Sequence, residues 1–134
     1  MCANLHDICK EILEIDNAIR FAGIANDMGT VVASAYRKGL NPLLTPEESQ
    51  QFAMESVLRM TTRIDLSSKL GKSIYSFTLY EKVKRATIFL GNKQCYIAMV
   101  SFDISTENDY IILNKVLTLI TNYPSSINES KSVS

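Results

Sequence analysis

The chain reads as one α/β domain whose elements follow the order helix, strand, strand, helix, strand, strand, strand, helix. Two observations carry that reading. The spacing of apolar residues switches between the three-and-four rhythm of a helix and the alternation of a strand, with turn residues at each switch. Residues 95–102 are apolar on both faces, a pattern that only a strand covered on both sides supports. That strand is therefore expected at the centre of the sheet, with helices on either side.

Residues 3–16 form the first amphipathic helix, with Leu5, Ile8, Cys9, Ile12 and Leu13 on one stripe and Asp7, Lys10, Glu11 and Glu14 between them. Residues 18–25 and 31–36 are short, apolar and rich in small or β-branched side chains. The turn Asn26-Asp27-Met28-Gly29 between them predicts a β-hairpin. Thr45-Pro46-Glu47-Glu48 is the strongest local signal. Thr45 caps the first free amides, Pro46 takes the first helical position, and Glu48 completes a capping box. The helix it opens is expected to run to about Ile64 and fray towards Leu70 before Gly71. Residues 73–80 and 83–90 alternate about a Glu81-Lys82 turn, and Gly91-Asn92-Lys93 leads into 95–102. Ser105, Thr106 and Asp109 are expected to open the last helix, with Ile112, Val116, Leu119, Ile120 and Tyr123 inward and Pro124 beyond its end. The domain is thus expected over 1–124, with 125–134 a disordered Ser-rich tail.

The 134 residues are enough for one domain that buries roughly two-thirds of its unfolded surface. Lys plus Arg and Asp plus Glu number 14 each, so the formal net charge is zero. A nucleic-acid partner is disfavoured by that balance, and self-association is opposed by little net repulsion. Cys2, Cys9 and Cys95 are an odd, irregular set rather than a disulfide framework, and with the single His6 they match no zinc spacing. No signal peptide and no span of about 20 apolar residues is visible, which predicts a cytoplasmic protein without a membrane span.

The motifs that resemble chemistry are incomplete. Leu70-Gly71-Lys72-Ser73 looks like the end of a phosphate loop, but Leu66 stands where the first Gly belongs and a strand, not a helix, follows. Asp103, Glu107 and Asp109 lack the spacing of a calcium loop and fit the start of a helix better. Lys69, Lys72, Lys82, Lys84 and Arg85 form a local basic run near the second hairpin, read as a solvated edge that resists stray strand pairing. No nucleophile has a base beside it, so a non-enzymatic protein without cofactor or metal is expected.

The stretches ICKEILEIDNAIRFAGIANDMGTVVASAYRKGLNPLLTPEE and KSIYSFTLYEKVKRATIFL resemble the roadblock/dynein-light-chain family and its longin and profilin-like relatives, most closely small archaeal roadblock-like proteins of unknown function. The likeness runs over residues 8–120. It implies a three-layer α-β-α domain with a five-stranded antiparallel sheet, the middle helix on one face and the first and last helices on the other. It also implies a dimerisation or scaffold role, with itself, a related roadblock-like chain, a small GTPase or a larger complex as partner. A small-molecule sensor is the alternative, because small residues such as Ala22, Gly23, Ala33 and Ala35 leave room against the sheet.

On the middle helix, Ala53, Met54, Val57, Leu58, Met60, Thr61 and Ile64 span about 160°, wider than the ~100° stripe of an ordinary surface helix. Phe52 falls outside that arc, among Glu55, Ser56, Arg59 and Arg63. Either Phe52 tucks under Leu40, Leu43 and Leu44, or it faces a second subunit. In the resembled family, paired middle helices and edge pairing of the next strand form the dimer. The expected interface here is therefore Phe52, Glu55, Ser56, Arg59, Arg63, Tyr75 and Phe77.

Overall fold

The computed structural model describes residues 5–90 and 96–122, and of 61–65 the backbone alone. The elements are α1 (Leu5–Ile15), β1 (Ile19–Ala25), β2 (Val31–Tyr36), α2 (Pro46–Asp65), α3 (Ser67–Leu70), β3 (Tyr75–Leu79), β4 (Val83–Phe89), β5 (Ile97–Asp103) and α4 (Asp109–Thr121). The five strands make one antiparallel sheet in the order β2-β1-β5-β4-β3. The expected class and the central position of the last strand hold: six of the seven β5 residues are buried. The expected tail, the Gly91-Asn92-Lys93 turn, Cys95 at the start of the expected last strand, and Tyr123 and Pro124 at the end of the last helix lie outside the described residues.

Alternation along the strands divides the core in two. Ala22, Ile24, Ala86, Ile88, Ala98, Val100 and Phe102 pack against Ile8, Cys9 and Ile12 of α1 and Ile112, Leu113, Val116 and Ile120 of α4. Phe21, Ala25, Ile97 and Met99 pack against Ala53, Val57 and Met60 of α2. The register of β1 on β5 skips between Ile19 and Phe21. That irregularity sends Ile19 into the first cluster and Phe21 into the second, and Arg20 between them reaches Asp103.

Local chemistry explains where α2 begins and how it docks. Glu48 N–H donates to Thr45 Oγ1 at 3.1 Å, and Thr45 N–H donates to Glu48 Oε1 at 2.9 Å, so the expected capping box forms. In the β1–β2 turn, Asn26 Oδ1 accepts from the amides of Met28 and Thr30. Gln50 ties that turn to the helix: its amide donates to Gly29 O, and its Oε1 accepts from Val31 N–H at 3.2 Å.

Two boundaries differ from expectation. The chain after α2 turns at Leu66 and forms the separate short helix α3, which ends at Gly71 with a positive φ of 85°. The last helix starts at Asp109 rather than near Ser105. Thr106 N–H bonds back to Asp103 O in a turn, and Lys84 donates to Thr106 O and pairs with Asp109 at 2.8 Å, which holds this segment outside the helix.

Candidate functional site

The inward face of α2 is centred differently from the expected arc. Ala53, Val57 and Met60 are buried as expected, but Met54 is 51% and Leu58 67% exposed, while Ser56 is only 2% exposed. Ser56 Oγ donates to Phe52 O at 2.9 Å and accepts from Arg59 at 3.3 Å. A hydroxyl satisfied by its own helix can be buried at small cost, and its size lets the helix lie close to the sheet. The helix is thereby rolled so that Phe52 turns towards β4, and Met54 and Leu58 are left outside.

The expected interface residues do not form one surface. Glu55 and Arg59 are exposed on α2, Phe52 is half-buried, and Ser56 is inside. The side chain of Arg63 lies outside the described residues. Tyr75 and Phe77 pair with Ile88 and Ala86, whose side chains join the α1–α4 cluster, and the ring of Phe77 lies 6.4 Å from that of Phe102. They therefore sit on the opposite face of the sheet from α2, with the β3 backbone between the two groups. Strand parity likewise divides the basic run. Lys84 faces α4 and its ion pair, whereas Arg85 faces α2. The phosphate-loop fragment spans the end of α3 and the exposed approach to β3.

The arrangement that sequence reasoning missed is a cavity of about 450 Å³ on the α2 face. Its floor is one cross-strand row, Tyr36, Phe21, Ser101 and Arg85, taken from β2, β1, β5 and β4 by the pairings Phe21–Tyr36, Phe21–Ser101 and Arg85–Ser101. Its roof is Phe52 with Leu40, Leu43 and Leu44 of the loop before α2. The Arg85 guanidinium lies 4.0 Å from the Phe52 ring centre and 5.7 Å from that of Phe21. Its Nε is buried without a hydrogen-bond acceptor, and among the described residues no carboxylate pairs with it. Burial pulls its pKa below the ordinary arginine value, against the opposing pull of Tyr80 and Tyr36.

Beside the same row, next after Ser101 on this face of β5, Asp103 accepts from Arg20 at 3.0 Å and from Arg37 at 2.9 and 3.2 Å. Arg37 also donates to Asn17 O, so one carboxylate joins the start of β1, the end of β2 and the end of β5. The Arg37 hydrogen bond, above all, holds the Asp103 carboxyl below its ordinary pKa. Among the described residues, no three His, Cys, Asp or Glu side chains converge as metal ligands. Nor is any described helix long and apolar enough to cross a membrane.

A central β5 flanked by β1 and β4, with α2 on one face and α1 and α4 on the other, is the architecture of roadblock/LC7 domains. Solved structures with the same arrangement include the gliding protein MglB of Thermus thermophilus, at a TM-score of 0.68 and 14% identity over 89% of this chain and 87% of that one. A Streptomyces avermitilis roadblock/LC7 domain aligns at 0.68 and 9% identity, over 90% and 94%. MglB of Myxococcus xanthus aligns at 0.66 and 15% identity, over 94% and 95%. A comparison with family models finds no match, and a comparison with curated proteins finds no relative.

Proposed function

We propose that the protein is a non-enzymatic dimerisation and scaffold module that pairs through β3 and works with a small GTPase or a larger complex in the cytoplasm. The observation that carries this reading is the edge of the sheet at β3. Among the described residues no strand pairs with its outer side, and Leu70, Ile74 and Leu79 at or beside it are each more than half exposed. An open edge flanked by large apolar side chains is an association surface unless something covers it.

A second copy is the occupant that satisfies both features. Antiparallel pairing of two β3 strands fills the free donors and acceptors, and the apolar residues meet their own counterparts across a two-fold axis. The zero formal net charge leaves little repulsion to oppose this. Glu55 and Arg59 of α2 would form the polar flank of the interface. Phe52, seated in the cavity, would not take part. The likeness to roadblock structures supports the role. One of them is described as MglB with a tetrameric arrangement, at a TM-score of 0.68 and 15% identity. The GTPase reading rests on the family resemblance.

Light scattering on the purified chain tests this directly. The wild type should give the mass of two chains. Ile74→Glu with Leu79→Glu should give the mass of one, with an unchanged circular dichroism spectrum. A wild type that is monomeric at high micromolar concentration would refute the dimer.

A further inference from the structure

We infer that the cavity between α2 and the sheet is a binding site for a small planar carboxylate, in which Arg85 takes the acid group and Phe21, Tyr36 and Phe52 hold an aromatic body. The reading is independent of the dimer, because the cavity lies within one chain.

Three observations converge. The volume of about 450 Å³ is that of a small-ligand site. The surroundings are mostly apolar, with the rings of Phe21 and Tyr36 only 4.8 Å apart and tilted by 48°. One cation is built into this lining with neither a carboxylate nor an acceptor for its Nε among the described residues. The aromatic contacts offset part of the hydration that this half-buried guanidinium loses, and an incoming anion would supply the counter-charge it lacks among the described residues.

The acid is a carboxylate rather than a phosphate. Arg20 is tied to Asp103, and Arg85 is the lining cation that lies against the aromatic rings with no carboxylate beside it among the described residues. The planar fork of arginine matches a carboxylate by two parallel N–H donations. A dianion would bring more charge than this mostly apolar lining suits. A neutral apolar ligand would cover the guanidinium and leave it unpaired, so recognition depends on the acid group.

The test uses ¹⁵N-labelled full-length protein and a panel of benzoate, 2-naphthoate and indole-3-acetate, with 2-naphthamide as the neutral counterpart. At least one acid should give saturable shifts centred on Phe52, Arg85 and Ser101. Naphthamide should bind about tenfold or more weakly than naphthoate, the loss expected when a charge-assisted hydrogen bond is removed. Arg85→Gln should abolish the preference for acid over amide, and Arg85→Lys should keep part of it. Absence of saturable shifts with all three acids overturns the proposal. So does equal binding of naphthoate and naphthamide by the wild type, a result that needs no variant to fold.

Discussion

Asp103 and Cys9 show two ways in which a single titratable group is tied to stability here. Asp103 accepts three hydrogen bonds from two arginines and so is held in its charged form. Its folded pKa lies below its ordinary 3.8, so its contribution is present above pH 3.8 and is lost as pH falls through the folded value. Asp103→Asn should therefore lower stability by about 1–2 kcal/mol at neutral pH, reduced from the full value of charged hydrogen bonds because solvent reaches the cluster. Urea unfolding from neutral to strongly acid pH checks it: the gap between variant and wild type should close towards the acid end. Cys9 works in the opposite direction. It is wholly buried in the α1 packing, and desolvation pushes its thiol from 9.0 to about 12. The unfolded thiol loses its proton above pH 9.0 while the folded one keeps it, so this contribution is lost as pH rises from 9.0 towards about 12. Iodoacetamide at mildly alkaline pH should leave the Cys9 peptide unmodified in the folded protein and modify it in urea, as read by mass spectrometry. Modification at equal rates in both states would show that the site is open.

Between elements, the contact of greatest consequence is the seat of α2 on the β1–β2 turn. Gly29 has a φ of 81°, and a Cβ there would lie 2.8 Å from Met54 Cγ and 2.9 Å from Met54 Cα. Gly39 has a similar φ of 79° with nothing within 4 Å. The pair separates backbone strain from helix docking. Gly39→Ala should cost about 1–2 kcal/mol, the price of a left-handed conformation alone. Gly29→Ala should cost at least about 1 kcal/mol more, because the helix must move or the turn must open. Chemical denaturation of both variants measures the difference, and equal losses would mean that α2 does not press on the turn.

At the scale of the molecule, the two faces of the sheet are used differently. The face under α1 and α4 is filled by Ile, Val, Ala and Phe side chains. The face under α2 carries one helix, and it holds the cavity. The proposed self-association uses the exposed apolar residues beside β3, at an edge of the sheet, and leaves the cavity free. Because backbone pairing and apolar burial are little screened by salt, the expected two-chain mass should persist at high ionic strength. A mass that falls to one chain on adding salt would point to charged contacts instead.

The order of the five strands and the three longer helices, the capping box at Thr45 and Glu48, the β1–β2 turn and the burial of the central strand were all determined by the sequence alone. Each rests on neighbours a few residues apart: a side chain that bonds a nearby amide, a glycine in a turn, a period of two or of three to four. Other features were decided only by the tertiary structure. The roll of α2 depends on Ser56 meeting its hydrogen-bonding needs within the helix, and on Phe52 finding Arg85 across the sheet. The separation of Tyr75 and Phe77 from the α2 residues follows from strand register and from which face each helix covers. The cavity brings Tyr36, Phe21, Ser101 and Arg85 together from four strands, and Arg20 is turned to Asp103 by an irregularity in pairing. A periodic pattern shows which residues share a face of their own element. It does not show which face of another element they will meet, because that depends on distant pairings whose register no local signal carries.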